Sequence, residues 1–181
     1  MKDNLKVILI DHDDSFTFNL RHWLFDFADE VTIINHREVS EQNFSQFDLV
    51  VLSPGPKHPQ DYPHILTWLN KVSPEKPIFG VCLGMQLMTI SAGGQVESYS
   101  PPLHGKTSNL ISGSNLNNLK VARYHSLKCS GLKQFDILAE SDDLPMWIQH
   151  QEKKWMAVQF HPESFLTENS ARLQHHIKDW I

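Results

Sequence analysis

The sequence predicts an α/β fold, an open and mostly parallel sheet with helices on both faces, and two observations carry that prediction. Short apolar runs rich in β-branched residues, such as Lys6 to Asp11 (KVILID) and Asp48 to Ser53 (DLVVLS), recur along the first half of the chain. Strands buried on both faces read this way because neither side of them meets water. Helical segments separate these runs, and a strand that returns parallel to its predecessor needs such a crossover.

Taken in order, Lys6 to Asp11 is the first strand, and Asp14 or Ser15 offers an N-cap for a helix from about Phe16 to Phe27. Glu30 to Asn35 (EVTIIN), Asp48 to Ser53 and Pro77 to Cys82 (PIFGVC) read as further strands, with a helix near Pro63 to Val72 and another over Met85 to Ala92. After Gly94 the pattern changes to strands at Val121 to Tyr124, Phe135 to Ala139, Met146 to His150 and Trp155 to Phe160, without intervening helices of comparable length. A helix over about Glu168 to Trp180 completes the chain. Tyr99 to Pro102, with two consecutive prolines, reads as a rigid loop. No repeat, linker or low-complexity block marks a boundary, so 181 residues of 40% apolar composition are expected to form a single domain spanning residues 1–181.

The bulk chemistry excludes several function classes. A net charge of −5, with lysines and arginines scattered, lacks the basic footprint that nucleic-acid binding requires. The longest apolar stretches fall far short of a bilayer crossing, and the charged start lacks a signal-peptide core, so the expectation is a cytoplasmic protein away from membranes. Cys82 and Cys129 are expected to be free thiols, since a domain of this size needs no staple. His175 and His176 point apart on the last helix and read as solvated, and no other residues share a metal-ligand spacing, so no metal and no cofactor are expected.

The catalytic reading starts at Gly80-Val81-Cys82-Leu83-Gly84. A nucleophile between strand and helix, with glycines two residues to either side, fits a tight elbow at the C-terminal edge of the sheet. That places Cys82 at a helix N-terminus, whose dipole and free N–H groups favour a thiolate, and makes the Leu83 N–H a natural oxyanion donor. Taken alone, the same residues equally fit a buried structural cysteine. A base is available in His161-Pro162-Glu163. In an extended stretch positions i and i+2 share a side, so His161 and Glu163 lie together, with Glu163 orienting the imidazole.

The segments GVCLGMQ (Gly80 to Gln86) and QFHPES (Gln159 to Ser164) together resemble the paired signatures of the triad-type, class I glutamine amidotransferases. DHDDSFTFNL (Asp11 to Leu20), LSPGP (Leu52 to Pro56), HGKTS (His104 to Ser108) and RYHSL (Arg123 to Leu127) are similar to the glutaminase subunits serving anthranilate synthase and aminodeoxychorismate synthase. The resemblance implies a flavodoxin-like open mixed sheet, L-glutamine as substrate, ammonia passed to a chorismate-using synthase in a heteromeric complex, and no cofactor. It implies Cys82 as nucleophile, His161 as base and later acid, Glu163 as orienter, and the N–H groups of Gly55 and Leu83 as the oxyanion hole. Gly55, Pro56, Lys57, Gln86, Ser126 and Leu127 are the implied substrate-binding positions.

Lys57 stands where the resembled family has glycine, Met85 where it most often has histidine, and His12-Asp13 replaces a common Asn-Tyr. If position 57 needs a positive φ, Lys57 is strained by roughly a kcal/mol or more. The aromatic run Phe16, Phe18, Trp23, Phe25 and Phe27 is read as core, with any exposed members available to a partner. The alternatives are a γ-glutamyl peptidase-like hydrolase on the same fold and a non-catalytic assembly subunit.

Overall fold

The computed structural model describes residues 4–113 and 116–181. In chain order the elements are β1 (Lys6–Asp11), α1 (Thr17–Leu24), β2 (Glu30–Asn35), β3 (Leu49–Leu52), α2 (Pro63–Leu69), β4 (Ile78–Val81), α3 (Leu83–Ser91), β5 (Gln95–Asn109), β6 (Ile111–Ser112), β7 (Lys120–Ser130), β8 (Phe135–Ser141), β9 (Leu144–His150), β10 (Trp155–Val158) and α4 (Ala171–Trp180). Among the described residues, a sheet runs β2-β1-β3-β4-β10-β9-β8-β6 and a separate ribbon pairs β5 with β7. The pairs from β2 through β10 are parallel, while β9, β8 and β6 add antiparallel strands. The sheet is therefore mixed and mostly parallel, as the sequence predicts.

The central strands β1, β3, β4 and β10 are apolar because each supplies two cores. Val7, Leu9, Val51, Phe79 and Val158 face one side, where they pack with Leu20, Trp23 and Leu24 of α1 and Leu173 and Ile177 of α4. Ile8, Ile10, Val50, Leu52 and Ile78 face the other and pack with Ile65 and Leu69 of α2 and Leu87 and Met88 of α3. Successive side chains of a strand point to opposite faces, so one continuous run feeds both layers. Trp23 and Phe27 join the first core, whereas Phe18 and Phe25 of the same aromatic run are exposed.

Several boundaries differ from expectation for local reasons. The α1 N-cap is Phe16, without a side-chain cap. Asp14 acts one step earlier, its carboxylate accepting from the Phe16 N–H at 2.8 Å, while the Thr17 hydroxyl donates to Asp11 at 2.6 Å. Tyr99 to Pro102 is not the rigid loop expected: it lies within β5, where the pairing with β7 slips between Ser98 and Leu103 and the Ser100–Pro101 peptide is cis. Val121 to Tyr124 lies at the start of the longer β7, whereas β5 was not expected, because residues such as Glu97, Lys106 and Ser108 give it no apolar alternation. His176 is not fully solvated either, since its ring packs edge-on against Trp147 at 4.6 Å.

The first turn of α3 rests directly on β3 and β4. A Cβ on Gly84 would lie 2.6 Å from the Leu52 carbonyl oxygen and 2.9 Å from Leu52 Cβ, and one on Gly80 would lie 2.7 Å from the Gly84 carbonyl carbon. Gly84→Ala is therefore expected to destabilise the protein by about 1–3 kcal/mol, although alanine is the better helix former. A lowered urea midpoint at unchanged m-value is the expected outcome, and an unchanged midpoint would show that the two elements separate freely.

Candidate active site

The loops at the C-terminal ends of β1, β3, β4 and β10 surround a cavity of about 420 Å³, with Tyr124 to Leu127 of β7 as its remaining wall. Openings at the carboxyl ends of parallel strands are where open α/β sheets bind ligands. The β4–α3 junction sets Cys82 on this cavity with φ 52° and ψ −99°, a conformation that L-residues rarely adopt. Such a residue costs on the order of 1–3 kcal/mol and persists only when its surroundings over-determine it. Here the Cys82 N–H donates to Val158 O at 2.8 Å, and the Cys82 carbonyl accepts from Gln86 N at 3.2 Å. The helix α3 starts at the next residue.

His161 is fixed from several sides. Its N–H donates to Ala122 O of β7 at 3.0 Å, and its carbonyl accepts from the Thr167 hydroxyl at 2.6 Å. The His161 Nδ1 and Glu163 Oε1 are 2.7 Å apart, with both side chains buried. They meet through a turn, closed by Ser164 N donating to His161 O at 3.3 Å, and not through the extended stretch expected from Pro162. A carboxylate only accepts, so Nδ1 carries the proton and Nε2 is left as the basic nitrogen. Nε2 is buried and has no hydrogen-bond partner among the described residues. The rings of Phe16 and Tyr124 pack against the imidazole at 5.6 and 5.2 Å. Burial disfavours the imidazolium, but the nearby Cys82 and Glu163 outweigh it and raise the His161 pKa well above the ordinary range.

Of the remaining positions singled out from sequence, Gly55, Pro56, Lys57, Gln86, Ser126 and Leu127 line this cavity. A Cβ on Gly55 would lie 2.4 Å from Leu83 Cδ2 and 2.9 Å from His12 Cβ, so this loop packs tightly on the elbow. The N–H groups of Gly55 and Leu83 make no hydrogen bond within the described residues. Lys57 is not among the positive-φ residues, so the strain considered for it does not arise. Leu127 is held from behind: Arg123 Nε donates to His125 Nε2 at 3.1 Å, which leaves His125 Nδ1–H to donate to Leu127 O at 2.8 Å. The buried Arg123 also pairs with Asp142.

Residues 8–179 match the family model described as glutamine amidotransferase class-I. The chain belongs to that family. An anthranilate synthase component 2 from Halobacterium salinarum is 38% identical, over 90% of this amidotransferase and 91% of the relative. The protein described as anthranilate synthase component 2, pyocyanine specific, from Pseudomonas aeruginosa is 35% identical, over 97% of this chain and 94% of its own. Among solved structures, a glutamine amidotransferase from Thermotoga maritima superposes with a TM-score of 0.72 at 15% identity, covering 99% of this chain and 95% of that one, a likeness of fold.

Two residues beside the cavity have no role in the sequence analysis. Gln159 is buried, and its amide nitrogen lies 3.4 Å from Cys82 Sγ while its oxygen accepts from Gln86 Nε2 at 3.4 Å. Its position two residues before His161 in QFHPES was the available signal. Cys129 lies in β7, buried, with its sulfur 3.9 Å from Gln159 Oε1, and burial pushes its pKa up to about 12. Among the described residues, no cluster of three or more His, Cys, Asp or Glu is placed to hold a metal, and no helix is long and apolar enough to cross a membrane.

Because Glu163 is one of the groups raising the His161 pKa, Glu163→Gln is expected to bring it down toward the usual histidine range. Imidazole titration by NMR measures this directly. An unchanged titration would show that the carboxylate does not act on the ring.

Proposed function

We propose that this chain is the glutaminase subunit of an anthranilate synthase, hydrolysing L-glutamine through a Cys82–His161–Glu163 triad and delivering ammonia to a chorismate-using partner. One observation carries the reading most: a buried His161–Glu163 pair at 2.7 Å leaves Nε2 without a partner, and His161 lines the same cavity as the strained Cys82. The names of the relatives favour anthranilate over aminodeoxychorismate as the product served.

The chemistry follows from the parts. His161 Nε2 takes and holds the Cys82 proton, Sγ attacks the side-chain amide carbon of glutamine as the thiolate, and the negative charge gathers on the former carbonyl oxygen. Gly55 and Leu83 N–H groups receive that charge, a contribution whose loss typically costs on the order of a hundredfold in rate. Collapse of the intermediate breaks the C–N bond, with the His161 proton passing to the leaving ammonia and a glutamyl thioester remaining on Cys82. Water then adds, activated by the same imidazole, and releases glutamate and the thiol. Glu163 holds the ring and stabilises the imidazolium. Gln159 donates to the sulfur, and Gln86, Ser126 and Leu127, with the Gly55–Lys57 loop, surround the bound glutamine.

Ammonia is mostly protonated in neutral water and then no longer nucleophilic, so its release is useful only next to an acceptor. The expected result is glutamate release that rises when an anthranilate synthase large subunit is added. Cys82→Ser should abolish the glutamine-dependent synthesis while ammonia-dependent synthesis by the same complex continues. Full glutamine-dependent activity in Cys82→Ser would remove the triad assignment, and activation only by an aminodeoxychorismate synthase would reassign the partner.

A further inference from the structure

Behind the Gly55 loop lies a buried polar relay that the triad does not use. The Ser53 hydroxyl is 2.7 Å from Pro54 O, and since a carbonyl only accepts, the hydroxyl proton lies on that bond. Ser53 Oγ in turn accepts from the His12 N–H at 2.9 Å and faces His12 Nδ1 at 3.1 Å. With its own proton committed to Pro54, Oγ has only lone pairs to offer, so Nδ1 is the protonated nitrogen. Both residues are fully buried.

We infer that Ser53 and His12 are positioning residues that set the direction of the Gly55 N–H by fixing the Pro54–Gly55 peptide from its carbonyl side. The inference rests on the reading of Gly55 as an oxyanion donor. A trans peptide points its C=O and N–H in opposite directions, so anchoring Pro54 O on the buried Ser53 hydroxyl turns the next N–H away from that anchor. Gly55 has no side chain to restrain this plane and lines the cavity at the point where it packs on Leu83 and His12. Without the anchor, little beyond packing opposes rotation of the peptide.

The arrangement also accounts for the cluster around His12. The His12 ring stacks on His36 at 5.7 Å and meets the edge of Tyr62 at 5.2 Å, while His36 Nδ1 lies 2.8 Å from His64 Nε2. The bend that brings His12 inward has Asp13 at φ 60°, held by Arg37 at 2.8 Å and Asn35 at 2.8 Å. Burial, together with the neighbouring His36, lowers the His12 pKa to about 3, so the ring stays a neutral donor at neutral pH. The relay leaves His12 Nε2 buried and without a partner among the described residues, which is the cost of turning Nδ1 toward Ser53.

The test compares glutamate release from L-glutamine by complexes of wild type, Ser53→Ala, Ser53→Thr, His12→Leu and His12→Asn with the synthase that activates the wild type. Ser53→Ala is expected to lower kcat about tenfold or more with KM changed less than about twofold, because the oxyanion forms only in the transition state. Ser53→Thr keeps the hydroxyl and should recover most of kcat. His12→Leu should lose activity in the same way, and His12→Asn, whose amide nitrogen can take the place of Nδ1, should recover it. Alkylation of Cys82 by iodoacetamide, which builds no oxyanion, should proceed at the wild-type rate in every variant. Wild-type kcat in Ser53→Ala, a rise in KM alone, or equal losses in Ser53→Ala and Ser53→Thr would overturn the inference. If Ser53→Ala does not fold, the two His12 variants decide by the same comparison. A wild-type complex that releases no glutamate would instead remove the functional reading on which the inference stands.

Discussion

The strained backbone at Cys82 is the constraint on which the rest of the site depends. A residue at φ 52° and ψ −99° is held only because its neighbours leave it no alternative. Gly80 and Gly84 allow strand and helix to pass at contact distance, Leu52 of β3 supports the first turn of α3, and Val158 of β10 accepts the Cys82 N–H. The same three strands carry the other parts of the site at their ends. Fixing the elbow therefore also fixes the distances from the thiol to the Gly55 loop and to His161.

Around that point the protein uses two kinds of support. On the sheet side, the strands that carry the loops are held by apolar packing, because β1, β3, β4 and β10 are buried on both faces. On the ribbon side, the wall is held by polar chains: Asp142 to Arg123 to His125 to the Leu127 carbonyl, and Ala122 to the His161 backbone. Removing one partner from such a chain leaves another buried and unsatisfied, so these links transmit position more sharply than hydrophobic contact does. The cavity is thus closed on the ribbon side by a wall tied back through hydrogen bonds.

Much of this was legible in the sequence. The parallel strands announced themselves because burial on both faces makes them continuously apolar, and the glycines flanking Cys82 reported the crowding that the structure shows. The pairing of His161 with Glu163 was also legible, although a turn and not an extended strand brings them together. What the sequence concealed were features with no periodicity. The β5–β7 ribbon is polar along β5 and slips in register at its prolines. Gln159 meets Cys82 and Gln86, and His12 meets Ser53, through hydrogen bonds between residues distant in the chain, and no local pattern encodes such bonds. Lys57 looked strained only on the supposition of a positive φ, which the loop does not adopt.

Strands β4 and β10 lie side by side with Val81 opposite Val158, and the two proposed reacting groups follow within three residues of those positions. A slip of one residue would move His161 along the sheet and turn every side chain of β10 over. Ordinarily polarity forbids that, but both faces here are apolar, so polarity offers no protection. What differs is size: Trp155 and Ala157 fill one core, Met156 and Val158 the other. The spacing between sulfur and imidazole is thus recorded as a volume pattern, with an indole and a methyl group alternating against two side chains of intermediate bulk.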